Sequence, residues 1–574
     1  MDKKTILIVV ALGALVIFWV PIMTELGLMK PAPEPTPQIE PDITTAVNPE
    51  QTTTPAVTAA GNDVGMAAAT TPQLIEADST EQIPEETLTV ETNVWLVTMS
   101  NYGGGPLSIK LKDYLYDNGE TIEMLPECRK VTPEFTFSGQ TFHENDLVYA
   151  PSHQGGSYSV TSSSSEFVYT YTAAAGGQII KRYRFYPDRY DYDLVVEIAD
   201  RPSLGFEREY NIEWNNKLAS TELNVSDDYS STWSMAYQAG SGEKFDDFDD
   251  NRYSISKDGK TDWIATRTKY FTGIIIPQSN AGISAMSSGV KYDVTMNDDN
   301  VEARDLTVGI TMNMEYAPTV VDSFTIYVGP IDYDKLSSFT NDVVDLVDIG
   351  TTPVIGFLIK IFAIPILWLL PKMYQFIPNY GIVIILFSLA VKVVTFPLTK
   401  KSLKSMIGMK QLQPKLEELK EKHKKNPQAL NQATMKLYKD MGINPLSGCL
   451  FMLPQMPLFF ALFSVFRSTI LLRQAPFVFF LDDLSRGAMS FTDPYMILVV
   501  LMVVLMFLQQ KSGMTDPKNK ALTYIFPLML GFFFYQQSAG LILYWTCFSL
   551  FSWIEQIVFK KPMMQKLEAA QVSE

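Results

Sequence analysis

The sequence predicts a polytopic α-helical membrane protein of six spans that carries a large β-sandwich between its first and second spans. Three observations predict it. Apolar runs long enough to cross a ~30 Å hydrocarbon core at ~1.5 Å per residue occur near the start of the chain and repeatedly after residue 379. From about 86 to 345 the pattern is instead one of short alternating runs, such as Phe167-Val168-Tyr169-Thr170-Tyr171-Thr172 and Tyr183-Arg184-Phe185-Tyr186, split by Gly, Asn, Asp and Ser. Alternation rich in aromatic and β-branched residues is the mark of antiparallel strands, and this many of them make a large sandwich. Charge divides the chain at the same borders: residues 31–352 hold 50 acidic and 20 basic side chains, so the formal −17 of the whole leaves +13 for the apolar remainder. An acidic exported middle between lysine-bearing ends fits the rule that basic loops stay cytoplasmic.

Residues 1–25 open with Lys3 and Lys4 before an apolar run from Thr5 to Thr24. The run is longer than a signal-peptide core and no small-x-small site follows, so an uncleaved anchor with its amino terminus inside is expected. Residues 31–85 are rich in Pro, Thr, Ala and acid without any Lys or Arg, a composition that cannot bury enough apolar surface to fold and reads as a flexible tether. Within 86–345, Gly103-Gly104-Gly105 lacks the strand–glycine–helix context of a dinucleotide site and is read as a turn. Asp246, Asp247, Asp249 and Asp250 resemble a calcium loop in composition only and are read as a solvated acidic loop. Cys128, Cys449 and Cys547 cannot form a disulfide framework, and His143, His153 and His423 lack metal-ligand spacing. Neither a metal nor a cofactor is expected, and the acidic balance argues against DNA as a partner.

The segment 353–372 is long enough to cross. If it did, the lysine-rich stretch after residue 398 would fall outside, against the charge bias, so it is read as an interfacial amphipathic helix on the outer surface. Five spans follow, at 379–398, 450–471, 494–510, 521–536 and 539–559, with a short cytoplasmic tail at 560–574. Between the first two of these, 400–441 carries eleven lysines and reads as two amphipathic helices broken at Asn426-Pro427. Leu412 and Leu416 lie on the apolar edge of one helix and Leu437 on that of the other, a pattern that packs as a cytoplasmic helical hairpin.

One polar constellation lies inside the apolar spans. Ser388, Lys392, Thr395 and Thr399 recur at helical spacing on one face of 379–398. A lysine at the bilayer centre costs at least ~2.5–3.5 kcal/mol, so Lys392 faces water, a partner charge or protein interior. Gln455, between Pro454 and Pro457, lies where freed carbonyls need donors. Together these imply a hydrated cavity open to the cytoplasm. Two plainer readings stand beside it: Lys392 snorkelling to the headgroups, and Gln455 as interhelical glue.

Several motifs resemble those of the YidC membrane protein insertases. They are Asn444-Pro445-Leu446-Ser447-Gly448-Cys449, Gln455-Met456-Pro457, Leu472-Arg473-Gln474-Ala475-Pro476-Phe477, Asp483-Leu484-Ser485, Asp493-Pro494-Tyr495 and Gly540-Leu541-Ile542-Leu543-Tyr544-Trp545. Trp263-Ile264-Ala265, Lys269-Tyr270-Phe271 and Ile276-Pro277 are similar to the form with a large periplasmic domain. The resemblance implies a mutarotase-like sandwich in the periplasm and a five-span core around a hydrophilic groove. In that groove Lys392 would be the central cation, Ser388, Trp545 and neighbouring Tyr544 would meet substrate, and Thr395 and Gln455 would hydrate it. It also implies an inner-membrane insertase and chaperone with both termini cytoplasmic and no covalent chemistry. Its clients would be nascent integral membrane proteins, alone or with the Sec translocon. Further partners would be membrane lipids and a ribosome or signal recognition particle route. Arg467 is a departure from the family pattern. The alternatives are a small-solute transporter, for which internal repeats are wanting, and a membrane-anchored carbohydrate-binding protein of the envelope.

Overall fold

The computed structural model describes residues 83–126, 130–138, 143–245, 251–296, 299–314, 317–339, 342–349, 356–424, 426–440, 452–513 and 520–572. The 1–25 anchor, nearly all of the 31–85 tether, Cys128, the Asp246–Asp250 run and the Asn444–Cys449 motif lie outside these residues.

Among the described residues the alternating middle forms a five-stranded and a 13-stranded sheet. The small sheet runs Thr121–Glu123, Gly105–Leu115, Trp95–Ser100, Thr87–Thr92 and Gly156–Val160, with a parallel pair only at the last junction. The main path of the large sheet runs Glu134–Phe137, Glu209–Trp214, Asp299–Asn313, Gly282–Met296, Arg252–Arg267, Phe271–Pro277, Val320–Pro330, Asp191–Ala199, Gln178–Phe185, Ser165–Thr172, Ala150–Pro151. Strand 191–199 shows how the pattern works: Tyr192, Leu194, Val196 and Ile198 are buried while the residues between them are half-exposed, the period of two that a half-buried strand requires. Trp95 of the small sheet is fully buried and donates its indole N–H to the Val328 carbonyl of the large sheet at 3.2 Å, among the rings of Phe185, Tyr190 and Tyr192. The domain is thus a β-sandwich with an aromatic core, as alternation required.

The helical part comprises α1 (Gly356–Phe376), α2 (Tyr380–Gln411), α3 (Gln413–Lys422), α4 (Pro427–Asp440), α5 (Met452–Ser468), α6 (Met496–Gly513), α7 (Lys520–Phe534) and α8 (Ala539–Val572). By length and composition α1, the Tyr380–Pro397 part of α2 and the Ala539–Phe559 part of α8 can cross a membrane, while α6 and α7 are shorter apolar helices. Asn379 starts α2, its side chain accepting from the Ile382 N–H at 3.1 Å.

Two expected boundaries differ. The helix that carries 379–398 does not end at the lysines: α2 runs on to Gln411, so 400–411 continues that helix and α3 and α4 pair beyond it. Pro414 falls in the first turn of α3, where its missing N–H leaves no intrahelical bond unmade. The second break falls at Asn426-Pro427, where Asn426 accepts from the Ala429 N–H at 3.1 Å. Likewise α8 continues through 560–572, so the tail prolongs the last apolar helix.

Candidate functional site: a buried lysine between two apolar helices

Helical spacing puts Ser388, Lys392 and Thr399 on the face of α2 that packs on α8, and all three are buried. Lys392 is only 8% exposed. Its Nζ lies 2.6 Å from Glu555 Oε2 and donates to Ser552 Oγ at 2.9 Å, with the Phe548 ring centre 5.0 Å away. Thr399 Oγ1 lies 2.8 Å from the other carboxylate oxygen, Oε1, and 2.9 Å from the Phe396 carbonyl; of these two acceptors for its one proton the charged carboxylate is the stronger. The lysine therefore meets a partner charge rather than only water, and Glu555 with Ser552 completes a polar cluster that the α2 stripe alone did not reveal. A signal for it was in the sequence: Glu555 is the only charged residue in 539–559, three residues after Ser552 and therefore on the same helical face.

The remaining candidates divide. Ser388 donates to the Ile385 carbonyl at 2.7 Å and Thr395, half-buried, to the Val391 carbonyl at 2.9 Å, so both hydroxyls are satisfied on their own helix. Tyr544 is buried among Phe387, Phe466 and Phe548. The adjacent Trp545 points elsewhere, edge-on to Phe459 at 5.0 Å, and lines a gap with Met502, Leu530 and Phe534. Tyr544 and Trp545 thus face different neighbours, as consecutive helical residues must. Gln455 is half-buried in the first turn of α5. In the hairpin, Leu412 is buried while Leu416 and Leu437 are half-buried.

The motifs of the α5–α6 connection build a second, structural site. Asp483 accepts from the N–H groups of Gln474 and Ser485 at 3.0 and 2.7 Å. Asp493 accepts from the Tyr495 N–H and pairs with Arg486, each at 3.0 Å, and Tyr495 donates to Asp482 at 2.6 Å. Phe477 lies so close to Gly381 at the start of α2 that no Cβ would fit there.

This loop also holds the sandwich. Arg473 pairs with Glu222 at 2.7 Å and donates to the Leu115 carbonyl at 2.9 Å, with its side chain buried. Arg467, at the end of α5, pairs with Asp227 at 3.0 Å, and Lys269 reaches the same carboxylate at 2.9 Å. Two separate motifs, around Lys269-Tyr270-Phe271 and around Leu472-Arg473-Gln474, therefore meet at one charged interface. Spacing could not have paired them, since 251 residues separate Arg473 from Glu222.

Residues 372–566 match the family described as 60Kd inner membrane protein, and residues 87–369 match the YidC periplasmic domain. The membrane protein insertase YidC of Prosthecochloris aestuarii is 31% identical, covering 96% of this chain and 93% of its own. That of Chlorobaculum tepidum is 30% identical, covering 99% of this chain and 96% of its own. A crystal structure of an active YidC insertase aligns at 17% identity and a TM-score of 0.35, over 83% of this chain and 93% of that one. With relatives of that name aligned along nearly its whole length, this chain belongs to the YidC family of membrane protein insertases.

Proposed function

We propose that Lys392 is the cation that draws acidic hydrophilic segments of incoming membrane proteins into the helical core. The apolar part of the client then slides into lipid along α2 and α8. The observation that carries this reading is a buried lysine, next to hydroxyls and a carboxylate, in helices that are otherwise apolar. An ion pair inside hydrocarbon is costly and adds little net stability over apolar packing, so a packing role alone gives no reason for it. Insertion in this reading is physical, with no covalent step. Thr395 and Gln455, both half-buried, hydrate the path, with buried Ser388 on the same face of α2; Tyr544, stacked on Phe548, lines its packed side and Trp545 the adjoining apolar gap.

In this arrangement the sandwich faces the periplasm and the α3–α4 hairpin the cytoplasm, with six spans and both termini inside. Helix α1 lies on the outer surface. Its Lys360 pairs at 3.0 Å with Asp345, in the segment that follows the sandwich, which supports a shared side. Nascent membrane proteins are the clients, taken directly or passed from the Sec translocon, and ribosome delivery would bring them to the basic hairpin.

The test pairs one client bearing an acidic translocated tail with the same client neutralised, at matched insertase levels. Lys392→Arg keeps the cation and retains insertion of both. Lys392→Glu places two carboxylates together and lowers insertion of the acidic client about tenfold more than that of its neutral twin, the effect of ~1.4 kcal/mol. Equal losses for both clients would make Lys392 a packing residue and overturn the reading.

A further inference from the structure

We propose that Glu555 is the resting occupant of the carboxylate subsite at Lys392, and that a client's acidic group enters by exchanging with it. The inference rests on the reading of Lys392 as the client-attracting cation. Glu555 Oε2 takes the place at the ammonium, 2.6 Å away, that a client carboxylate would need. Both charged side chains are only 10% exposed, so the subsite is filled and closed.

The two carboxylate oxygens are held unequally. Oε2 meets the lysine, while Oε1 accepts from Thr399 at 2.8 Å. An arriving carboxylate can therefore take the lysine while Glu555 keeps its bond to Thr399. Ser552, at 2.9 Å from the ammonium, holds the lysine through the exchange. One anion leaves the lysine as another arrives, so the buried cation is never left unpaired. A neutral segment offers no such exchange and would strand both charges, which is the expensive outcome.

The surroundings suit this passage. Leu389, Val393 and Val394 on α2, and Ile554, Ile557 and Val558 on α8, are exposed apolar side chains next to the pair in sequence. An apolar client segment lying on either strip would bring its adjoining hydrophilic segment alongside Lys392. Glu555 then sets a threshold common to all segments, and Lys392 supplies the discrimination between acidic and neutral ones.

The experiment uses the full-length protein in lipid nanodiscs and two fluorescent client-tail peptides, one with aspartates and one with asparagines at the same positions. Glu555→Gln preserves size and the acceptor for Thr399 but removes the competing charge. It should tighten binding of the aspartate peptide about tenfold and keep the aspartate-to-asparagine ratio within about twofold of the unsubstituted protein. Glu555→Asp, with its carboxylate drawn back from the lysine, should give a smaller gain and guards against a fold defect in the first variant. Unchanged or weaker aspartate binding in both variants would overturn the proposal and leave Glu555 a brace between α2 and α8. If the unsubstituted protein does not distinguish the peptides and Lys392→Gln changes nothing, the reading of Lys392 itself fails. If that discrimination stands but neither Glu555 variant gains affinity, only the exchange fails.

Discussion

At Asp227, burial by itself pushes the carboxyl upward, but Lys269 and Arg467 outweigh it and hold the group well below the usual carboxylate range. A depressed folded-state value contributes stability that is fully present above the ordinary carboxylate value of ~3.9 and is lost as pH falls through the folded value. Docking of the sandwich on the α5–α6 loop, read by cross-linking between cysteines placed at Leu223 and Gln537, should hold from neutral pH to about pH 4 and loosen only below it. Arg467→Ala removes one of the two cations and should move the loosening to higher pH. An unchanged profile would mean that Lys269 alone governs Asp227. A second buried pair lies within the sandwich, where Lys181 and Glu144, both fully buried, meet at 2.7 Å. Burial lowers the lysine and raises the glutamate, and each partner opposes the shift of the other. Lys181→Ala strands a buried carboxylate and should cost about 3–5 kcal/mol in thermal or denaturant unfolding, whereas Lys181→Met with Glu144→Gln should cost far less.

Among the elements, the hairpin shows where amphipathic spacing is informative and where it is blind. Periodicity groups Leu412 with Leu416 on one edge and puts Leu437 on the facing one, yet of the three only Leu412, at the α2–α3 junction, is buried in the chain itself. Leu412→Asp should therefore disturb the junction and slow insertion most. Leu416→Asp with Leu437→Asp should act less strongly, through the contact of α3 with α4, and Lys424→Gln should act least because its pairing with Glu421 is exposed. Insertion rates at equal expression test the ranking. If Lys424→Gln proves the most damaging, the hairpin works by charge and not by shape. The α5–α6 connection was legible as family motifs but not as a mechanism. Its aspartates accept backbone N–H groups, its Arg486 pairs within the loop and its Arg473 reaches the sandwich, and none of these roles follows from the order of residues along the loop.

For the molecule as a whole, the contacts of Arg467, Arg473 and Gln474 with the sandwich qualify its independence. Deleting about 90–320 removes Leu115, Glu222 and Asp227 and returns these side chains to water rather than burying them unpaired, so growth of a depletion strain should survive on the truncated protein. Loss of insertion by a truncated protein that remains stable would show that the docked sandwich is required. Cysteines at Lys360 and Lys422, each in a cysteine-free background, should label with an impermeant reagent from opposite sides. Labelling from one side would end the surface assignment of α1.

Composition and period were enough for the sandwich, the apolar helices, the break at Asn426-Pro427 and the face shared by Ser388, Lys392 and Thr399. All of these depend on local alternation, helical spacing or the missing N–H of proline, which neighbours along the chain determine. What Lys392 touches was decided only by folding. Glu555 lies 163 residues further on, and its meeting with the lysine depends on which faces of α2 and α8 pack together. The same holds for Arg467 with Asp227 and Arg473 with Glu222, where attraction acts across space and a sequence records only separation along the chain.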